Sequence, residues 1–119
     1  MSALRCAGRK MMRVMPVDPD ERLREELESV SSVLSHRIRL GICVLLSRHS
    51  ALSFSRLKEL LEETDGSLGA QLKKLEEEGF ISVKKEFRQR KPVSWYSLTE
   101  NGRSSLLRHF DAMRGLIGL

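Results

Sequence analysis

Cysteine is scarce in this chain: there are two, Cys6 and Cys43. Two are too few for a disulfide framework. Cys43 lies inside an apolar helical pattern and reads as a small buried hydrophobe rather than a reactive thiol. Long hydrophobic runs are missing too. The longest, Leu40 to Leu46, is broken by Gly41 and falls far short of the ~18 residues that a membrane-crossing helix needs. No apolar stretch follows the basic N-terminus as a secretory signal would require, so the cytoplasm is the default compartment. Histidines are few and isolated, at positions 36, 49 and 109. There is no HExxH, no glycine-rich phosphate loop, no paired-cysteine motif and no nucleophile elbow. Enzymatic activity is therefore not expected, nor is a resident cofactor. His36 and Cys43 could share one helix face, but two ligands without further partners do not fill a metal's coordination sphere. His109, near the end of an amphipathic helix, reads as a partly buried interface residue. Internal repeats and low-complexity tracts are also absent.

What is present suits one compact domain with a short tail: 119 residues, 40% hydrophobic and 31% charged. The net charge of +5 favours polyanionic partners without proving one. Its distribution says more. Arg5, Arg9, Lys10 and Arg13 give residues 1–15 a net +4, whereas six acids and two arginines give residues 18–28 a net −4. Five bases and one acid between Lys84 and Lys91 make a compact positive knob of +4. Residues 1–17 read as a flexible basic leader, either a solvated tail or an arm that touches phosphates. Met11, Met12 and Met15 are alternative starts for the natural chain. Residues 18–119 form the domain proper.

The spacing of apolar residues predicts a mainly α chain with a small β-hairpin. Asp18 and Pro19 open a helix to about Leu34, with Leu23, Leu27, Val30 and Leu34 on one stripe. Ser35 is expected to cap a second helix, about His36 to Arg48. A brief extended piece at 51–54 precedes a third helix, about Ser55 to Glu63. A turn at Thr64-Asp65-Gly66 leads into a fourth, about Gly66 to Glu78, with Leu68, Leu72 and Leu75 inward. Gly79 stops it in a left-handed cap, and Phe80 can fold back on its last turn. Strands follow at about 80–87 and 93–98. Thr99 caps a final helix to about Ile117, whose stripe is Leu106, Phe110, Met113 and Ile117, with Leu107 and Leu116 alongside.

Two features of this layout carry functional information. The outer arc of the fourth helix is small, polar or basic at its start and ends in Glu76, Glu77 and Glu78. Acids repel phosphates, so only the first two turns suit a major groove, where a helix N-terminus also favours phosphate. There Gln71 could pair with an adenine edge, Ser67 donate to a base or phosphate, and Ala70 touch a thymine methyl. Lys73 and Lys74 add charge. The plainer reading is a solvated helix face. The hairpin tip weighs against it. Arg88, Gln89, Arg90, Lys91 and Pro92 crowd cations where a hairpin more often uses Asn-Gly or Asp-Gly. Arg90 could enter a minor groove while Arg88 and Lys91 hold flanking phosphates. A charged edge that blocks aggregation is the competing explanation.

The segments SHRIRLGICVLL, LSFSRLKELLEETDGSLGAQLKKLEEEGFISV and RQRKPVSWYSLTENGRSSLLRHF carry a resemblance. From about Glu28 to Ile117 the chain resembles the small prokaryotic winged helix-turn-helix transcriptional regulators of the broad MarR/ArsR-like kind. LKKLEEEGFI and SLTENGR are the most specific matches. The resemblance implies that helix 67–78 is the recognition helix and 87–93 the wing, and that helices 20–34 and 100–117 pair two subunits. Leu23, Leu27, Val30, Leu106, Phe110, Met113 and Ile117 would line that dimer interface. The chain departs from the pattern at Gly69 and Ala70, where such proteins often carry Ser, Thr, Arg or His; this shifts weight from base readout to shape and phosphates. The thiolate metal box of the metal-sensing relatives is absent from the second and third helices. The expected function is a dimeric, sequence-specific binder of double-stranded DNA. A winged-helix module for protein contacts in a larger transcription assembly, and a nonspecific nucleoid or RNA binder, are the rivals. No residue set marks an effector pocket.

Overall fold

The computed structural model describes residues 18–118; the expected leader lies outside them. The order is α1 (Pro19–Ser29), α2 (Arg37–Arg48), β1 (Leu52–Ser53), α3 (Phe54–Leu61), α4 (Asp65–Glu77), β2 (Ile81–Arg88), β3 (Lys91–Leu98) and α5 (Glu100–Leu116). The three strands form an antiparallel sheet in the order β1-β3-β2. Five helices around a small sheet with a protruding hairpin make a winged helix, the fold class expected from the sequence.

The core is built from the predicted leucine positions. Leu34, Ile42, Leu46, Leu57, Leu68 and Leu75 are fully buried, joined by Ile38, Cys43, Leu72, Phe80, Ile81 and Leu106. Leu52 and Val83 both pair with Tyr96 across the sheet, so the strand face carrying them turns toward the helices. Gly79, at φ +77, ends α4 as expected. The Phe80 N–H bonds the Leu75 carbonyl and the Gly79 N–H that of Glu76. This is the double-bonded left-handed stop that glycine permits. Thr99 caps α5 through the Gly102 N–H and also donates its hydroxyl to the Gly79 carbonyl. Gly102 sits directly on the Phe80 carbonyl, with no room for a Cβ. The end of α4, the root of the hairpin and the start of α5 are thus one tight joint.

Three boundaries differ from expectation. Helix α1 stops at Ser29, although the apolar spacing runs on to Leu34. Serines end it. The Ser29 hydroxyl donates back to the Glu25 carbonyl, the Ser31 hydroxyl accepts from the Leu34 N–H, and the Ser35 hydroxyl donates to the Ser31 carbonyl. Such bonds offer the backbone an alternative to the helix. Leu34 therefore enters the core from a turn. Because the Ser35 hydroxyl is engaged, His36 caps α2 instead, its Nδ1 accepting from the Ile38 N–H at 3.2 Å. The hairpin tip is also shorter than the expected 87–93. Only Gln89 and Arg90 lie outside the strands, with φ of +51 and +67. Two left-handed residues in a two-residue turn match the twist of the flanking strands. Pro92 pairs with Phe87 within the ladder. Next to the Arg88–Lys91 closing pair this is a non-hydrogen-bonded position, so a missing N–H costs nothing toward β2. β1 reaches only Trp95 and Tyr96, so nothing on the other side needs that N–H either.

Candidate nucleic-acid interface

Helix α4 is positioned by its leucines. With Leu68, Leu72 and Leu75 buried, Gly66, Ala70, Lys73, Lys74 and Glu77 are exposed, and Ser67, Gly69 and Gln71 lie half-buried at the margin. Thr64 caps the helix, its hydroxyl accepting from the Ser67 N–H at 3.2 Å, and Asp65 pairs with Lys58 of α3 at 2.8 Å. The turn between α3 and α4 is thereby fixed. Ala70 and Lys73 face solvent as expected.

The other expected α4 contacts already have partners in the chain. The Ser67 hydroxyl donates to a Glu63 carboxylate oxygen at 2.6 Å. It keeps only acceptor capacity, so the expected donation to a base or phosphate is corrected. The Gln71 carboxamide oxygen accepts from the Arg39 guanidinium at 2.9 Å. Arg39 also donates through Nε to the Val33 carbonyl at 2.8 Å. Gln71 is thus held in place by its oxygen, with the amide N–H groups and the second lone pair of that oxygen left over. Lys74 lies 3.3 Å from Glu78 one turn on, an exposed pair of small energetic weight.

At the wing, Arg90 and Lys91 are exposed and make no ion pair or side-chain hydrogen bond among the described residues. Arg88 differs: its guanidinium stacks over Trp95, 5.3 Å from the ring centre, and its Nε lies 3.5 Å from Glu86. Glu86 also approaches Lys84 at 3.8 Å. Of the three expected wing cations, two are unpaired among the described residues and one is held on the sheet surface.

Phe87 was not anticipated. It is 78% exposed on the wing. Strand parity places it on the face of Ile81 and Val83, but out near the tip, where it pairs across the ladder with Pro92. That alternation was the signal available in the sequence.

Away from this surface, α1 packs along α5. Leu23, Leu27, Phe110, Met113 and Ile117 are exposed, and Val30 is half-buried. Leu106 is a correction: at 5% exposure it belongs to the chain's own core, whereas its neighbour Leu107 is 61% exposed and extends the open stripe. The difference follows from where α5 crosses the core, one position away on the wheel. His109 is buried, and its Nδ1 accepts from the Ser31 N–H at 3.1 Å. That bond fixes the proton of the neutral ring on Nε2, and burial lowers its pKa from the ordinary histidine value. Burial pushes the Cys43 thiol up to about 12, so it is an inert part of the core, as expected. Among the described residues no three His, Cys, Asp or Glu side chains gather as metal ligands. No described helix is long and apolar enough to cross a membrane.

Comparison with known proteins agrees with this geometry. Residues 38–117 match the profile of a family described as a winged helix DNA-binding domain. A transcriptional regulator homologue from Pyrococcus horikoshii has the same fold, with a TM-score of 0.72 at 27% identity over 82% of this chain and 94% of that one. Apo MarR of E. coli gives 0.57 at 17% identity over 85% and 84% of the two chains, a likeness of fold alone. An uncharacterised protein of Methanocaldococcus jannaschii is 39% identical over 66 residues, spanning 56% of this chain and 72% of its own length.

Proposed function

The chain belongs to the winged helix DNA-binding domain family, and from that premise we propose that it is a dimeric, cytoplasmic, non-enzymatic transcriptional regulator of double-stranded DNA. The first two turns of α4 enter the major groove, and Arg90 and Lys91 engage the adjacent minor groove and its phosphates. One observation carries the reading. The leucine face of α4 is sealed in the core, so the face left outside over its first turns is Asp65, neutralised by Lys58, then the small Gly66 and Ala70, then the cation Lys73. Small residues allow the helix backbone close to base edges, and the helix N-terminus favours phosphate. Glu76, Glu77 and Glu78 limit the approach to that half.

The dimer rests on the exposed stripe along α1 and α5, from Leu23 and Leu27 to Leu107, Phe110, Met113 and Ile117. Covering these side chains with the same stripe of a second copy removes apolar surface from water. Burial of ~1,000 Å² or more makes a stable pair. A two-fold pair then offers two recognition helices about one DNA turn (~34 Å) apart.

Titration of duplex pools against salt and nonspecific competitor tests the reading. Selected fragments should bind far more tightly than competitor, with a steep salt dependence from the wing. Absence of duplex binding at low salt would transfer the surfaces to protein contacts, and salt-steep binding without selectivity would indicate a nucleoid binder. A gel-filtration mass near 13.6 kDa rather than twice that value would remove the dimer.

A further inference from the structure

At 78%, Phe87 is the most exposed large apolar side chain among the described residues. It pairs across the ladder with exposed Pro92, one rung behind the Arg88–Lys91 pair that closes the turn. Around it stand Lys85, Arg88, Arg90 and Lys91, all exposed. The ribbon therefore carries an apolar spot inside a ring of positive charge. Covering that spot with an apolar protein surface would strip water from the cations and give them nothing in return. A nucleic-acid strand matches both parts. Its phosphates meet the cations, and the C–H faces of its sugars lie between the phosphates.

Direction decides which strand Phe87 meets. Ile81 and Val83 precede it on the same face of β2, and Ile81 lies in the core with Leu68, Leu72 and Leu75 of α4. Farther out the face keeps that aspect: Pro92 and Ser94 line a cleft with Ser53 and Ser55 at the start of α3. Phe87 thus looks to the side of the ribbon on which the helices lie. With α4 in a major groove and the tip at the adjacent minor groove, one sugar-phosphate strand runs between them. Phe87 stands two residues, or ~7 Å, behind the bend. A minor groove is ~6 Å wide, so that distance leads from its mouth back to the strand that bounds it. We infer that Phe87 packs on the deoxyribose faces of the strand separating the two grooves and supplies an uncharged, sequence-independent share of the affinity. The inference rests on the DNA-binding reading above and deepens it with a contact to sugar. The ring is carried on a paired strand, so little backbone freedom is lost when it docks.

Hydroxyl-radical cleavage, which reads the exposure of each deoxyribose, tests this on a selected duplex saturated with the wild-type chain, Phe87→Ala or Phe87→Leu. Affinity is measured against salt in parallel. The wild-type chain should protect the sugars of the strand between the grooves. Phe87→Ala should uncover them and bind all duplexes about tenfold more weakly. Its slope of log affinity against log salt should stay at the wild-type value, because no cation is removed. Phe87→Leu, still apolar, should keep the protection and lie within about threefold of wild type. Unchanged protection in Phe87→Ala overturns the inference. A flattened salt slope also overturns it, by placing the effect in the cations. A changed base preference does so by placing the ring on bases, and a halved gel-filtration mass by giving Phe87 to the subunit contact. Free cleavage of those sugars in the wild-type complex overturns it without any variant, so a poorly folding Phe87→Ala does not shelter it. A wild-type chain that binds no duplex at low salt instead removes the DNA-binding reading, and this inference with it.

Discussion

The α4 face and the hairpin tip point polar groups outward in different ways. On α4, Ser67 is bonded to Glu63, Gln71 to Arg39 and Lys74 to Glu78. At the tip, Arg90 and Lys91 stand without partners among the described residues. Side chains held by their own chain have little left to lose in ordering when a ligand arrives, and their geometry restricts what they accept. Unpaired cations respond to any phosphate and to salt. On the proposed reading the helix discriminates and the tip attracts. Arg88 stands between the two: it belongs to the wing, yet it is fixed over Trp95 and beside Glu86.

That contrast needs one rigid joint beneath both parts, and breaking the joint should have the largest effect. A Cβ at Gly102 would fall inside the Phe80 carbonyl and against Leu98. Gly102→Ala should therefore cost about 3 kcal/mol, the upper range for overpacking, read as a shifted denaturant midpoint. Retention of wild-type stability would show that α5 and the hairpin root can part without loss. Next in size, Arg90→Ala should weaken binding to all duplexes alike and reduce the slope of log affinity against log salt by about 0.9, one phosphate contact. A change of base preference in that variant would erase the division between helix and tip. The smallest effect is expected at Gly69, where a Cβ would meet nothing within 4 Å of its own chain. Gly69→Ala should raise stability by about 0.5–1 kcal/mol, since glycine inside a helix is unfavourable. It should nonetheless weaken duplex binding, because the new methyl stands where the backbone approaches the groove. Tighter binding would mean that α4 does not come close.

The same contrast explains what could be read from the sequence. Leucine spacing, the Gly79 stop and the Thr99 cap are local patterns, and the helices and strands followed from them with shifts of a few residues. The cationic knob is also local, and among the described residues Arg90 and Lys91 are exposed without an ion pair. The partners of Gln71 and Arg88 are set by side chains meeting across the fold, and spacing along the chain does not encode them. Leu106 and Leu107 differ by a single position, and only the crossing of α5 over the core decides which is covered. The end of α1 was missed for another reason: apolar periodicity is blind to serines that bond the backbone. The short tip was missed because Gln-Arg is not the dipeptide that usually announces such a turn.

That dipeptide has a consequence of its own. Side chains other than glycine and asparagine resist the left-handed region by roughly 1–2 kcal/mol each, so the outermost bend of this hairpin forgoes stability that Asn-Gly would supply. In exchange a guanidinium stands at the point of the molecule farthest along the β2–β3 ribbon, carried on a bend with no slack. The tip behaves less as a tether than as a stylus, and the length of two eight-residue strands, rather than loop flexibility, sets how far it reaches.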